Sequence, residues 1–359
     1  MSEATSSLGS VISIADMTAD LFRHLAQAAF EDFGSEAKEP LWAGLRRYGR
    51  WHGTKVTADS ISDLVQRWPT PEVRLAMLSD ELGHVRATNN GAWITLRYGA
   101  VPRPLVDDSV PEFVRAAYLE APIEGIAEAV GTFSYEIEAS VNREMYEIRI
   151  IGRGSAHSGA SVLGEESGEG DQLRMSVGAG SAARALQIET MRCRGAMFVC
   201  VARALIDRFD AAGERAVRTA TRRYATLRGQ AARAKHLAEG VELNLKNFVD
   251  DYDNPMSVWG WEDNAILTPG RWHANCNFCP HVSAWRELDE LELGYIYDYE
   301  VHVSLFTSYE PETRVQWDEL QSRGDATCQF RFEIPRLLGP AEEAFGGHPP
   351  IATADADAH

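Results

Sequence analysis

The N-terminal half of the chain has no cysteine, and this absence restricts any thiol chemistry to the other half. The five cysteines are Cys193, Cys200, Cys276, Cys279 and Cys328. A second absence is that of a basic segment followed by an apolar core near Met1, the pattern of a secretory leader. We therefore expect a cytoplasmic protein whose thiols are reduced and available for catalysis or metal binding.

Long apolar runs and excess positive charge are also missing. The longest apolar stretch, Gly195 to Ile206, is interrupted by Arg203 and is too short to cross a bilayer. The 359 residues carry a formal net charge of −18, so the phosphates of nucleic acids and anionic membranes are repelled. The expected partner is a small-molecule substrate, with no nucleic acid and no membrane. A homo-oligomer is left open.

Two segments of the chain, residues 28–53 and 204–229, align without a gap. The matching residues include Phe33 with Phe209, Tyr48 with Tyr224, and Gly53 with Gly229. This alignment predicts a duplication in which only the second copy carries cysteine. The second copy is expected to hold the reactive chemistry and the first to support it. The alternative is that a rare residue is clustered by chance.

Each copy is predicted to begin with a pair of helices and to continue into β-strands. In the first copy, Asp16 suits a helix N-cap, residues 1–15 are expected to be loosely ordered, and Gly34 and Gly53 end the two helices. The predicted helices are Met17 to Phe33, Pro40 to His52, Arg194 to Phe209 and Gly213 to Glu239. The predicted strands are Ala92 to Tyr98, Phe133 to Glu138, Glu144 to Ile151, Tyr295 to Val303, Thr313 to Trp317 and Cys328 to Ile334.

These patterns predict an α+β fold of two tandem repeats that form an internal pseudo-dimer. Each repeat would be a helix pair packed on an antiparallel sheet. The predicted divisions are a cysteine-free repeat at 1–151, a Gly- and Ser-rich linker at 152–186, a C-terminal repeat at 187–340 and a disordered tail at 341–359. The candidate site is expected in the C-terminal repeat.

The segment at residues 272–281, WHANCNFCPH, combines the residue types that carry thiol and metal chemistry. It contains Cys276 and Cys279 in a C-x-x-C, with His281 beside them, and Cys328 opens the last predicted strand. On the intervening predicted strand, residues two apart share a face. That spacing predicts one row of polar side chains formed by Asp298, Glu300 and His302.

Three interpretations of these cysteines stay open. A thiolate could attack an electrophilic carbon while a neighbouring histidine or carboxylate moves the protons. Cys276, Cys279 and His281 could instead hold zinc, with Cys328 as a further ligand, although one C-x-x-C without a second pair is a weak zinc signal. The thiols could also be structural, because buried cysteine packs as a small apolar residue.

Two further cysteines and two histidines are predicted to have no part in the chemistry. Cys193 and Cys200 fall on one face of a predicted helix and are interpreted as core residues. His24 and His52, on helices of the first copy, are interpreted as hydrogen-bonded or exposed residues without a catalytic role.

Four stretches of the second half together resemble a known family. They are the helix ending at Gly229, the segment CNFCPHVSAWRELDELELGYIYDYEV, the YEPE turn at Tyr309 to Glu312, and the ending GDATCQFRF. Over about residues 190–334 the chain resembles the L-2-amino-thiazoline-4-carboxylic acid hydrolase family. The first half looks like a diverged second copy.

The resemblance implies a hydrolase that opens a small five-membered ring at a C–N or C–S bond and yields a carbamoyl amino acid. The family pattern implies three cysteines, of which the first corresponds to Cys279 and the last to Cys328. The middle position falls near Asp298 or Tyr299, where this sequence has no cysteine. If the missing thiol is the nucleophile of the family, the resemblance implies that Asp298 takes its place or that the site performs different chemistry. That chemistry would be the opening of another heterocycle or a cyclisation through the same acyl-type intermediate.

Taken together, the residues predict a hydrolase of non-peptide C–N bonds in a thiazoline, cyclic amidine, imide or lactam-like ring. Cys279 is the first candidate nucleophile and Cys328 the second. Asp298 or Glu300 would be the general base. The candidate proton shuttles and the aromatic residues expected to line the pocket are His281, His302, Trp272, Trp285, Tyr297 and Tyr299. No cofactor is predicted for this mechanism; the alternatives are a zinc-dependent hydrolase and a non-enzymatic small-molecule sensor.

Overall fold

The computed structural model describes residues 3–56, 60–68, 70–79, 81–88, 91–97, 101–106, 109–139, 145–152, 171–173, 181–262 and 265–339. This described part is α+β, with two antiparallel sheets and several helices, as the sequence predicts. The chain divides into two compact units, Met1–Glu214 and Arg215–His359.

The first unit is built on a five-stranded antiparallel sheet with the strand order β3-β4-β2-β1-β5. Its strands are β1 (Gly83–Ala87), β2 (Gly91–Arg97), β3 (Phe133–Ala139), β4 (Met145–Gly152) and β5 (Asp171–Leu173). Its helices are α1 (Glu3–Phe33), α2 (Lys38–Gly53), α3 (Ile61–Gln66), α4 (Pro71–Leu78), α5 (Arg103–Val106), α6 (Glu112–Val130) and the first part of α7 (Ser181–Glu239). The predicted hairpin of β3 and β4 is confirmed, because the two strands pair along their length.

The start of α1 differs from the prediction. The helix begins at Glu3, well before Asp16, so residues 3–15 are helical where a loose segment was expected. Val11 and Ile14 are fully buried there, and burial of an apolar face stabilises a helix more than a cap does. Asp16 instead accepts hydrogen bonds from the backbone N–H and the Nε of Arg103 at 2.9 and 2.6 Å.

Helix α7 carries the predicted helix pair of the second copy. It is interrupted at Asp210, whose φ of 49° and ψ of −132° are not helical. The break separates residues 181–209 from 211–239, close to the predicted boundary between Phe209 and Gly213. The first of these segments begins earlier than predicted, at Ser181.

The second unit holds the second antiparallel sheet, in which β6, β8, β10 and β9 are neighbours and β7 also pairs with β8. Its strands are β6 (Gly260–Trp261), β7 (Ile266–Leu267), β8 (Arg271–Phe278), β9 (Arg314–Trp317) and β10 (Cys328–Glu333). Besides residues 215–239 of α7, its helices are α8 (Leu245–Asp250), α9 (Pro280–Leu288) and α10 (Leu291–Tyr309), with a 3-10 turn at Gln321–Arg323. The alternation predicted for β10 is confirmed, since Cys328, Phe330 and Phe332 are buried and the residues between them are partly exposed.

Residues 295–303 are helical, whereas the sequence predicts a strand there. They lie inside α10, where Leu293, Ile296 and Tyr297 are buried at helical spacing. Aromatic and charged residues alternate over this stretch and imitate a strand. The helix is buried on more than one side, so that even Asp298 and Glu300 are only 5% and 3% exposed.

The predicted domain limits stay predictions. The first compact unit extends to Glu214, so the early part of α7 packs with the unit that precedes it in the chain. Within the predicted linker, residues 171–173 pair with β1 and α7 begins at Ser181, while residues 153–170 and 174–180 lie outside the described residues. The predicted tail at 341–359 also lies outside them.

Among the described residues, no helix combines the length and the apolar content that a bilayer span requires.

Candidate active site around Asp298

Three thiols and one carboxyl group converge between β8, β10 and α10. Cys276 on β8 lies directly opposite Cys328 on β10 in the antiparallel register. Cys279 follows β8 and is the N-cap residue of α9, with Pro280 in the first helical turn. The negative charge of Asp298, on α10, raises the pKa of all three thiols.

A buried glutamine fixes the loops around this cluster. The side-chain amide of Gln321 donates to the carbonyl oxygens of Asn277 and Ala326, at 3.0 and 2.8 Å. Its backbone N–H points at the sulfur of Cys328, at 3.3 Å. Gln321 therefore links the end of β8 to the start of β10, and sequence reasoning missed it because an isolated glutamine before GDATC carries no motif.

Asp298 is a carboxyl group whose pKa is shifted towards neutral pH. Its side chain is buried, and burial raises its pKa from 3.8 to about 7. The hydroxyl of Ser322, on the 3-10 turn, partly offsets the rise. A carboxyl group with a pKa near neutrality is suited to both accepting and releasing a proton during a reaction.

The thiols are shifted towards the neutral form. Burial raises the pKa of Cys276 to about 11, and it raises the pKa values of Cys279 and Cys328 as well, with the charge of Asp298 as the next cause. The Val282 N–H opposes the shift at Cys279 only in part. Residue Cys279 is partly exposed, whereas Cys276 and Cys328 are buried. The environment therefore favours S–H groups at neutral pH over a resting thiolate.

The histidine beside Asp298 is held neutral. The Nδ1–H of His302 donates to the Asp298 carbonyl oxygen one turn earlier on α10, at 2.7 Å. Burial lowers the pKa of His302 to about 4. Its ring lies against Phe330, with the centroids 4.7 Å apart. A neutral imidazole in this position can accept a hydrogen bond at Nε2 at physiological pH.

Glu300 does not share the site with Asp298, contrary to the predicted row of side chains. Successive residues of a helix are rotated by about 100°, so residues two apart point in nearly opposite directions. Glu300 accepts hydrogen bonds from Arg218 at 3.3 Å and from Arg222 at 3.1 Å, both on α7. It is therefore an ion-pair residue between two helices, and its role as a general base stays a prediction.

His281 lies in an aromatic enclosure near the start of α9. Its ring centroid is 5.4 Å from Trp259, 5.7 Å from Trp285 and 5.2 Å from Tyr297, and its side chain is buried. Trp285 and Tyr297 therefore lie together around His281, and their role in substrate binding stays a prediction. Trp272 instead stacks on Phe332, and Tyr299 packs against Trp317.

The zinc set predicted from the C-x-x-C stays a prediction. Among the described residues, Cys276, Cys279 and His281 are not a group whose ligand atoms all lie within 4.8 Å of one another. His273, which flanks the same motif, lies on the other face of β8 and contacts Glu333 at 3.2 Å.

We expect the three thiols of the cluster to react slowly with an alkylating agent at pH 7. A pKa near 11 lowers the thiolate fraction about 300-fold relative to an ordinary cysteine, and higher intrinsic nucleophilicity recovers only part of this loss. Peptide mass spectrometry is expected to show rates at least about tenfold below that of free cysteine, with Cys279 reacting first because it is partly exposed. Protein unfolded in urea, in which all five cysteines react alike, is the control. If Cys279 reacts faster than free cysteine, a resting thiolate is present and the thiol-nucleophile hypothesis is favoured.

Comparison with known proteins agrees with the resemblance seen in the sequence. The family model described as L-2-amino-thiazoline-4-carboxylic acid hydrolase matches residues 189–332, the range that contains Asp298 and all five cysteines. The predicted resemblance of the C-terminal half is therefore confirmed. Neither the curated proteins nor the solved structures contain a match to the chain.

Proposed function

We propose that the C-terminal half hydrolyses a C–N or C–S bond of a small five-membered ring, with Asp298 as the acid–base residue. The observation that carries the proposal is the buried carboxyl of Asp298, whose pKa of about 7 is set among three thiols. It lies inside the segment that matches a family described as a hydrolase of L-2-amino-thiazoline-4-carboxylic acid.

The chemistry needs one group that both takes and returns a proton. In its ionised form, Asp298 removes a proton from a water molecule as that water attacks the ring carbon between nitrogen and sulfur. The protonated carboxyl then gives the proton to the ring nitrogen or sulfur as its bond to that carbon breaks. One water is consumed, nothing is oxidised or reduced, and the product is a carbamoyl amino acid.

Water is favoured over a thiolate as the nucleophile because burial raises the pKa values of all three thiols. The S–H groups of Cys279 and Cys328 can then serve as weak donors to the substrate. Cys279 as a covalent nucleophile remains a prediction from the sequence. A covalent adduct between Cys279 and the opened substrate, trapped by acid quench and seen in the intact mass, would favour it.

The tandem-repeat interpretation is supported by the order of elements in each unit. The first sheet has β3-β4-β2-β1 as neighbours and the second has β9-β10-β8-β6, which is the same order of corresponding strands. Helices α6 and α10 are both 19 residues long, and the eighth residue is Leu119 in one and Asp298 in the other. A carboxyl group in only one copy fits a division between a supporting and a reacting repeat.

The test is turnover of L-2-amino-thiazoline-4-carboxylate by the full-length protein, followed by mass spectrometry as the gain of one water. Cyclic imides and lactams of similar size complete the panel. We expect kcat/KM to rise with pH through an inflection near 7 and then level off, because the base is active when ionised. Binding of a ring compound without turnover of any panel member would favour the sensor alternative. Activity lost to a chelator and restored by zinc would favour the zinc-dependent alternative.

A further inference from the structure

A second cluster of ligand-type side chains lies in the first compact unit and shares no residue with the group of three thiols around Asp298. Its members are His52 in the last turn of α2 and Glu189 and Cys193, one turn apart on α7. The metal-binding atoms of the three side chains all lie within 4.8 Å of one another. Among the described residues, no other group of three or more histidine, cysteine or carboxylate side chains meets this distance limit.

His52 is the observation that points to a ligand. Its side chain is 0% exposed, and neither ring nitrogen has a hydrogen-bond partner among the described residues. A buried imidazole without partners is unfavourable, since at least one N–H and one lone pair are left unsatisfied. Tyr48 and Trp51 hold the ring in place, each with its centroid 4.6 Å from that of His52. This finding corrects the interpretation of His52 as a hydrogen-bonded or exposed residue.

We propose that His52, Glu189 and Cys193 bind a divalent transition-metal ion of the zinc type. Nitrogen, carboxylate and thiolate ligands together are typical of zinc, whereas magnesium and calcium prefer oxygen alone. In a tetrahedral zinc site the ligand atoms are about 3.3–3.8 Å apart, which follows from bond lengths of about 2.0–2.3 Å. A spacing within 4.8 Å therefore needs only small side-chain movements to close on an ion. Three protein ligands leave the fourth position for water.

The surroundings of the cluster agree with this chemistry. Burial and the charges of Lys55, Arg74 and Arg192 lower the pKa of His52 well below its usual value, so the imidazole is in the neutral form that ligates metals. The Tyr48 hydroxyl is hydrogen-bonded to the Cys193 thiol and lowers its pKa, against the larger rise that burial causes. A hydroxyl donor to the sulfur is the kind of outer contact that supports a thiolate ligand. The metal would compete with Arg192, which donates to Glu189 at 3.2 Å.

The test is metal binding by the full-length protein after removal of bound ions with a chelator. Zn²⁺ is titrated by calorimetry, and Co²⁺ is titrated by absorption, in which a thiolate ligand produces a near-ultraviolet charge-transfer band. We expect one ion per chain. Cys193→Ser should remove the band and weaken Zn²⁺ binding at least about tenfold. Cys200→Ser is the matched control, because Cys200 is also fully buried on α7 and is outside the cluster, and it should retain both signals.

A second variant keeps the proposal testable if Cys193→Ser does not fold. In the triple variant Cys276→Ala, Cys279→Ala and Cys328→Ala, the cobalt band should persist at full intensity. A chain that binds no Zn²⁺ overturns the proposal. So does a band that is lost in the triple variant, since the ion would then lie at the thiols near Asp298. The readout is binding and not turnover, so its failure is distinguishable from failure of the proposed hydrolase.

Discussion

Replacing Asp298 with asparagine is expected to lower kcat for ring opening by about a thousandfold, within the range that a positioned acid–base group contributes. Asparagine keeps the shape of the neutral carboxylic acid but cannot accept a proton from the attacking water. KM is expected to change little, because asparagine has nearly the same volume as the protonated carboxyl that it replaces. The measurement is steady-state turnover of L-2-amino-thiazoline-4-carboxylate by wild type and variant at pH 8, where Asp298 is ionised.

The matched control is Glu300→Gln, a second buried carboxyl on the same helix. Glu300 pairs with Arg218 and Arg222 and does not share the face of Asp298. Its variant should keep the pH inflection of kcat/KM near 7 even if the protein becomes less stable. If Glu300→Gln removes the inflection and Asp298→Asn leaves it in place, the assignment of the base is wrong.

The contrast between Asp298 and Glu300 also shows where sequence reasoning reaches its limit. Both residues can be predicted from the sequence as candidate bases, because a carboxylate among aromatic residues can have a raised pKa. Their separation required the secondary structure of residues 291–309, and the alternation of aromatic and polar residues there imitates a strand. The spacing of apolar residues cannot distinguish a helix from a strand here, because a helix buried on several sides has no single apolar stripe.

The strands of the same unit were predictable because one face of the sheet is buried. In β10, Cys328, Phe330 and Phe332 are buried and the intervening residues are not, which is the period of a half-buried strand. Pairing of Cys328 with Cys276 depends on the register of β8 and β10, and no property of either segment alone reveals that register. The same holds for His52 and Cys193, which belong to different helices and were each interpreted singly.

Asp298→Asn is also expected to stabilise the protein at pH 8 by up to about 4 kcal/mol. The pKa of Asp298 is raised from 3.8 to about 7, and each tenfold change in a protonation equilibrium corresponds to about 1.4 kcal/mol. Between these two pH values the folded state binds more protons at this site than the unfolded state does. Stability from this group therefore falls as pH rises from about 4 to 7, and above 7 the full cost of the buried charge is present. Asparagine removes that charge and keeps the volume.

The contribution of His302 to stability changes with pH in the opposite direction, over much of the same pH range. Its pKa is lowered from 6.5 to about 4, so the unfolded state binds more protons between these values and stability rises with pH. The two groups partly cancel in the wild type. In Asp298→Asn only the rise from His302 remains. The variant and the wild type should therefore be equally stable near pH 4, diverge as the pH rises to about 7, and differ by a nearly constant amount above it.

Denaturant unfolding of both proteins between pH 4 and pH 8 measures this divergence. Glu300→Gln serves again as the control and should be less stable than the wild type, because it leaves Arg218 and Arg222 without their shared carboxylate. The two arginine side chains are 32% and 51% exposed, so the loss should be nearer 1 than 5 kcal/mol. A wild type that remains as stable as Asp298→Asn at pH 8 would mean that the carboxyl is not desolvated. The acid–base role proposed for it would then lose its physical basis, because a solvated aspartate keeps its pKa near 4.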